Sequence, residues 1–170
     1  MGGPDFGKDV QRGRVGHNIV VRMLQARGHK IVGVPLSVDK QGIDLGYISP
    51  TGNLYTVEVK ADHKLIQTGN VFLETHSVDA ATNEVRPSSI RKMLAHFFVI
   101  VCPHSEVIYW AHSVDVKSVI DDPPRGSRRR SVRNTWGGND YQMHGLIIPL
   151  GLYISGSSCK VIKVGELLGR

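Results

Sequence analysis

The chain has 170 residues, of which 41% are hydrophobic and 21% charged, which predicts one globular domain with one continuous core. No run of about 18 uncharged apolar residues occurs and residues 1–8 lack the apolar middle of a signal peptide, so we expect a soluble, cytoplasmic protein without a membrane partner. Cys102 and Cys159 are too few for a disulfide framework and lack the paired spacing of a zinc site. The net charge of +6 attracts polyanions, most commonly nucleic acid, although basic domains also bind other proteins.

The first predicted element is an amphipathic helix over residues 14–27, which Gly28 is placed to end. A short strand over residues 30–35 follows. Further along, the apolar patterns predict strands at residues 70–75, 97–102 and 107–111, and helices from Ser88 or Ser89 to Ala95 and over residues 114–120, the latter capped by Ser113.

The order of these elements predicts an α/β fold with a mixed central β-sheet flanked by helices. We assign residues 1–124 to the core of the domain. Residues 125–145 are rich in Arg, Ser, Gly and Asn and are predicted to form a flexible loop. Residues 146–170 regain apolar runs and are expected to complete the same domain as strands.

Two alternating runs, residues 42–49 and 53–60, flank the turn residues Pro-Thr-Gly at 50–52, which is a hairpin signal. A three-residue loop there sets Asp44 directly opposite Glu58, with Cβ atoms about 5 Å apart. Alternation places Lys60 on the same face and the apolar residues on the other. Like charges that oppose each other on a sheet are destabilising, so this pair of carboxylates is expected to need a counter-charge.

A divalent cation is the natural counter-charge. Asp44, Glu58 and the backbone carbonyl of Val59 would leave positions for water and phosphate oxygens, which is how Mg²⁺ is usually held, with Mn²⁺ as a substitute. Lys60 would lie beside the attacking water and neutralise charge that develops on a phosphate, so the inferred reaction is phosphodiester hydrolysis. Such residues on a hairpin are more often solvated ion pairs, and the spacing alone leaves the function open.

The runs GID at residues 42–44 and VEVK at residues 57–60, placed after a helix ending in Gly and a first strand, resemble the PD-(D/E)XK nuclease superfamily. The arrangement looks most like small archaeal Holliday-junction resolvases and phage-encoded nucleases, over residues 13–110. This resemblance implies a restriction-endonuclease-like core of order αβββαβ. It also implies a Mg²⁺-dependent deoxyribonuclease with Asp44 and Glu58 as metal ligands and Lys60 as the catalytic lysine. Ile43 stands where the family has Pro.

Many relatives carry a Glu on the first helix that supports the metal site, and the matching position here is His17. The replacement leaves the metal preference open. Gln67, just beyond Lys60, is a second accessory candidate that could hydrogen-bond water or phosphate, although a polar loop explains it equally well. Glu74, on a later strand, could be a further acidic group of the site, although a surface ion pair is the favoured interpretation.

The expected partner is DNA, double-stranded or branched. Because duplex cutting needs two active sites, we expect a homodimer or a higher symmetric oligomer. A basic segment can follow a phosphate backbone, with an affinity that falls steeply as salt rises. The residues predicted to contact DNA are Lys64, Arg125, Arg128, Arg129, Arg130 and Arg133.

Several hypotheses therefore compete. The first is an endonuclease that selects branched DNA structures, and its close alternative is a sequence-specific enzyme of the homing or restriction type. The second, favoured by His17 in place of the helix acid, is a DNA-binding protein of the same fold with weak or absent catalysis. In the third, the three polar residues of the hairpin are accidental and the partner is another protein.

Overall fold

The computed structural model describes residues 6–35, 41–136, 139–167 and 169. Residues 1–5, part of the N-terminal segment in which we expect no signal peptide, lie outside these ranges. Within the described ranges, no helix is long and apolar enough to span a bilayer. In chain order the elements are α1 (Phe6–Ala26), β1 (Lys30–Val32), β2 (Leu45–Ile48), β3 (Leu54–Ala61), α2 (Leu65–Thr68), β4 (Asn70–Asp79), β5 (Val85–Pro87), α3 (Ser89–Lys92), β6 (Phe97–Cys102), β7 (Val107–His112), α4 (Ser113–Asp121), β8 (Arg128–Trp136), β9 (Asn139–Pro149), α5 (Leu150–Gly156), β10 (Lys160–Lys163) and α6 (Val164–Leu167).

The strands form two sheets. The first sheet has the order β1-β2-β3-β6-β7-β10, and the second has the order β5-β4-β9-β8. In the first sheet β3 and β6 run parallel, whereas the other neighbouring strands run antiparallel. The predicted α/β fold with a mixed sheet flanked by helices is confirmed, and α1, β1–β3, α3 and β6 follow one another in the expected order.

The first sheet is buried on both faces. Along β6, Val99 and Val101 pack with α1 in one hydrophobic cluster, whereas Phe98 and Ile100 pack in a second cluster. Burial on both sides explains why β6 is a continuous apolar run and not an alternating one. The second cluster also holds inward residues of the second sheet, of α4 and of α5: Val71, Leu73, Leu146, Ile148, Val116, Val119 and Tyr153.

The hairpin of β2 and β3 has the predicted register. Ile48 pairs with Leu54 and Leu45 with Val57. The amide of Ser49 donates to the carbonyl of Asn53 at 2.8 Å, which closes the three-residue loop at residues 50–52. Gly52 adopts a φ of 86°, a conformation that glycine reaches without strain.

The Arg-rich segment at residues 125–145 is not a loop, and that expectation is wrong. It forms β8 and most of β9, paired from Arg128 with Ile147 to Trp136 with Asn139. The physical reason lies in β9, where Leu146 and Ile148 are buried against β4 and give β8 a strand to pair with. Because β8 is an edge strand, its charged side chains can remain in water.

The C-terminal prediction is right in part. β9 and β10 are strands, and β10 pairs with β7. Between them lies the helix α5, which begins after Pro149 and buries Tyr153 completely. Pro149 has no N–H to extend the strand pairing, and it precedes the helix in an extended conformation.

Other helix boundaries also differ from the predictions. α1 begins at Phe6, earlier than expected. α3 ends at Lys92 because Met93 takes an extended backbone, with φ −52° and ψ 125°, while Ser88 caps the helix as predicted by accepting from the amide of Arg91. In α4 the N-cap residue is His112 rather than Ser113, and no side chain caps the helix.

Candidate active site

Asp44 lies immediately before β2 and is fixed against β3. Its amide donates to the carbonyl of Val57 at 2.9 Å. Its Oδ2 accepts a hydrogen bond of 2.6 Å from the amide of Val59. The pairing of β2 with β3 ends at Leu45 and Val57, so Asp44 lies just before the paired residues. The structure therefore places the Asp44 carboxylate against the peptide that joins Glu58 to Val59.

Lys60 follows Glu58 by two residues on β3, so their side chains leave the same face of the sheet. Its Nζ donates to the carbonyl of Phe72 at 3.1 Å and lies 5.6 Å from the centroid of that ring, within cation–π range. The residue as a whole is half-buried, yet the ammonium is deep enough that desolvation lowers its pKa. The carboxylates of Glu74, Asp62 and Glu58 act in the opposite direction and raise that pKa.

Glu74 belongs to this cluster, and the prediction of a surface ion pair for it is wrong. It is half-buried on β4, where burial raises its pKa and the nearby charge of Lys60 lowers it. Alternation along β4 puts Glu74 on the same face as Phe72. That alternation is visible in the sequence, but the packing of the second sheet over Lys60 is not, so sequence reasoning missed Phe72 and gave Glu74 only as an alternative.

Just beyond Lys60, Asp62 ends β3 and begins the next turn. Its Oδ1 accepts from the amides of Lys64 and Leu65 at 2.9 and 3.0 Å. Lys64 is exposed. Gln67 lines a separate cavity of about 180 Å³ beside Asp62, His63 and His104.

His17 is half-buried on α1. The preceding residue, Gly16, lies so close to β3 that an added Cβ would stand 2.9 Å from the Cβ of Ala61. Ala61 directly follows Lys60, so the helix is held near this end of β3. α1 packs in the hydrophobic cluster that includes Val57 and Val59, so it lies on the face of β3 opposite to that of Glu58 and Lys60.

The charges around Lys60 do not cancel. Glu58, Asp62 and Glu74 bring three carboxylates near one ammonium, and burial raises the pKa of Glu74. Within the ranges that the structure describes, no group of three or more His, Cys, Asp or Glu side chains could hold a metal ion. Two carboxylates and a backbone carbonyl make a smaller donor set, of hard oxygen ligands that suit Mg²⁺ with several waters. The residues present fit a divalent cation of that kind.

The register of the second sheet sorts the arginines of β8 by face. Arg130 pairs with Gly145, which pairs in turn with Glu74. Arg128 and Phe72 both pair with Ile147. Paired residues in a sheet share a face, so Arg128 and Arg130 lie on the same face as the two residues next to Lys60.

The other arginines are placed differently. Arg129 pairs with the buried Leu146 and so lies on the opposite face from Arg130. Arg133 forms an ion pair with Asp140. Arg125 is exposed in the segment that precedes β8.

Gly145 makes room for the ring of Phe72 on the face that carries Glu74 and Arg130. A Cβ at this position would stand 2.6 Å from the carbonyl oxygen of Leu73 and 2.6 Å from two ring carbons of Phe72. The ring of Phe72 therefore lies directly over Gly145, and Lys60 lies over the ring.

No protein-family model matches the chain, and no curated protein matches it. Among solved structures, the chain is similar to a bacterial homing endonuclease, I-Ssp6803I. The identity is 23%, the TM-score is 0.49, and the similar region covers 62% of this chain and 69% of that one.

Proposed function

We propose that this chain is a metal-dependent DNA endonuclease of the PD-(D/E)XK type. In this proposal Asp44, Glu58 and the carbonyl of Val59 hold Mg²⁺, or Mn²⁺ in its place, and Lys60 is the catalytic lysine. The observation that carries the proposal is the desolvated ammonium of Lys60, held among carboxylates beside the Asp44–Glu58 pair. Clusters of ionisable groups with shifted pKa values are costly to fold and concentrate at functional sites.

The strand β3 provides the rigidity that such a site requires. It lies between β2 and β6 and is paired on both edges. The hydrogen bond from the Val59 amide fixes the Asp44 side chain, and a carboxylate has acceptor capacity beyond one such bond. A bound cation would supply polarisation of a phosphoryl oxygen and a lower pKa for its water.

Besides the bound cation, the proposed site contains the positively charged side chain of Lys60. Its ammonium is oriented by the Phe72 carbonyl and can donate to a water or to a phosphate oxygen on the same side. In a poorly solvated place such a donor stabilises the charge that develops in the transition state more strongly than it would in water. Its lowered pKa also brings the neutral amine closer to physiological pH, where it could accept a proton from the water.

DNA, double-stranded or branched, is the proposed substrate. Arg128 and Arg130 would bind phosphates on the face that leads past Gly145 to Lys60, and the exposed Arg125 and Lys64 would extend the contact. A homodimer or a higher symmetric oligomer would bring two such centres to the two strands of a duplex.

The test is incubation with linear, nicked, single-stranded and four-way-junction DNA in Mg²⁺, in Mn²⁺ and in EDTA. We expect cutting with either metal and none in EDTA. An enzyme that selects DNA structure should cut the four-way junction preferentially. An enzyme of the homing or restriction type should cut a plasmid at one preferred position. Glu58→Gln should abolish cutting, whereas Lys92→Gln on the exposed surface of α3 should not. Wild-type rates from Glu58→Gln, or cutting in EDTA, would overturn the proposal.

A DNA-binding protein without cleavage is the second candidate. His17, which stands on α1 where relatives have an acid, is the observation that favours it. This candidate predicts a mobility shift of DNA at low salt and intact DNA in both Mg²⁺ and Mn²⁺. Restoration of cutting by His17→Glu would identify the missing acid as the cause.

A further inference from the structure

Four aromatic rings form a connected patch on the first sheet, one each from β2, β3, β6 and β7. Tyr47 and Tyr55 lie 5.4 Å apart between ring centroids, Tyr55 and Phe97 lie 5.7 Å apart, and Phe97 and Trp110 lie 5.2 Å apart. The ring centroids of Trp110 and Tyr47 lie 6.2 Å apart in an edge-to-face arrangement. Tyr47 and Trp110 belong to the cluster that packs with α1, so the patch lies on the opposite face of the sheet from Phe98 and Lys60.

A cavity of about 230 Å³ opens beside this patch. Tyr47, Phe97 and Trp110 form its aromatic wall, and Arg27 and Lys160 contribute two exposed cations. Among the described residues that line it, none is acidic. The cavity therefore combines flat apolar surfaces with positive charge.

His29 adds a polar group to the same wall. Its ring lies 4.9 Å from that of Tyr47, edge to face. Its Nδ1 is buried and, within the described part of the chain, has no hydrogen-bond partner. Burial, and secondly the charge of Arg27, lower the pKa of His29, so the imidazole is neutral near pH 7 and each nitrogen can serve as a donor or an acceptor according to the tautomer. Buried polar atoms normally have a partner, and a ligand would provide one.

We propose that this cavity binds an unpaired nucleobase together with its phosphate. Bases stack on aromatic side chains whatever their sequence, and cations nearby neutralise the phosphate. His29 would hydrogen-bond an edge of the base. This site is separate from the proposed cleavage centre and shares no residue with it. A negative result for one of the two proposals therefore does not refute the other. The ligand is a base that carries a phosphate, either as a free mononucleotide or as an unpaired nucleotide of a DNA strand.

Tryptophan fluorescence gives a direct test, because Trp110 is one of two tryptophans in the chain. The full chain with Trp136→Phe is titrated in EDTA with dAMP, with deoxyadenosine, with inorganic phosphate and with a short single-stranded oligonucleotide. We expect saturable quenching by dAMP and binding at least about tenfold weaker for the nucleoside, because it has no phosphate to accept charge-assisted hydrogen bonds. A free nucleotide is the ligand if dAMP and the strand bind equally, and a strand is the ligand if the oligonucleotide binds more tightly.

The variants locate the site. Arg27→Gln with Lys160→Gln should weaken dAMP binding by about tenfold or more, and Lys92→Gln, another exposed lysine, should leave it unchanged. His29→Phe keeps an aromatic ring and should weaken the binding of dAMP and deoxyadenosine alike. Absence of saturable quenching by dAMP and by the strand, or binding unchanged in both the Arg27/Lys160 and the His29 variants, would overturn the proposal. Because the two cations are exposed, their replacement tests it without disturbing the core.

Discussion

Two β-hairpins of this chain, β2–β3 and β8–β9, differ in what surrounds them. β3 has a neighbour on each edge and lies under α1 on one face and under the second sheet on the other. β8 is an edge strand with one neighbour, and its four arginines are exposed. The carboxylates and the lysine, whose mutual distances must be fixed, lie on the enclosed hairpin, and the cations that would follow a polyanion lie on the open one.

The enclosed hairpin should be the more sensitive of the two to a change of charge. Lys60→Met removes the ammonium but keeps the length of the side chain, and we predict that cleavage falls by about 10²–10³-fold or more, as for other donors to a transition state. The folded state should not be destabilised, since the variant no longer desolvates a cation. Single-turnover cleavage and thermal unfolding of the same preparation check both statements. A variant that cuts normally would remove Lys60 from the chemistry.

The two hairpins should also differ in what truncation does to stability. Leu45 in β2 is 2% exposed, so Leu45→Ala should lower the free energy of unfolding by about 2–5 kcal/mol. Arg130→Ala on β8 should change it by no more than about 0.5 kcal/mol. Urea unfolding measures both. Equal decreases would show that β8 contributes to the core as much as β2 does.

The same contrast explains what the sequence could predict. The β2–β3 hairpin was predictable because its alternation and its Pro-Thr-Gly turn are local, and the observed register runs from Ile48 with Leu54 to Leu45 with Val57. β8 was not predictable from its own composition, because its strand conformation depends on pairing with β9 and on the docking of β9 against β4. For the same reason the sequence did not predict that Phe72 and Glu74 neighbour Lys60, since they reach it through the packing of two sheets.

The open hairpin should govern the salt dependence of DNA binding. Arg128→Gln with Arg130→Gln is expected to weaken binding for all sequences and to reduce the slope of log K against log salt by about 0.9 for each phosphate that the variant no longer neutralises. Arg129→Gln with Arg133→Gln is the matched control, because Arg129 lies on the other face and Arg133 is paired with Asp140. Fluorescence anisotropy over a range of salt concentrations measures the slopes. Equal effects from both pairs would contradict the assignment by face.

A smaller effect is expected from the replacement of Glu74, which lies on the second sheet and interacts electrostatically with Lys60 on the first. Its negative charge raises the pKa of Lys60, so Glu74→Gln should lower that pKa further. The half-point of the Lys60-dependent limb of the cleavage–pH profile should therefore move to lower pH, whichever protonation state of Lys60 is the active one. An unchanged profile, or a shift to higher pH, would show that Glu74 and Lys60 are not electrostatically coupled in the working enzyme.

The proposed chemistry depends above all on a divalent cation that Asp44 and Glu58 bind together beside Lys60. Titration of Mn²⁺ followed by electron paramagnetic resonance measures this binding without any DNA or turnover. We predict saturable binding to the wild-type chain that Glu58→Gln abolishes and Glu74→Gln retains, since Glu74 neighbours the lysine but is not a proposed ligand. Mn²⁺ binding that is the same in the wild-type chain and in Glu58→Gln would contradict the assignment of these two carboxylates as metal ligands.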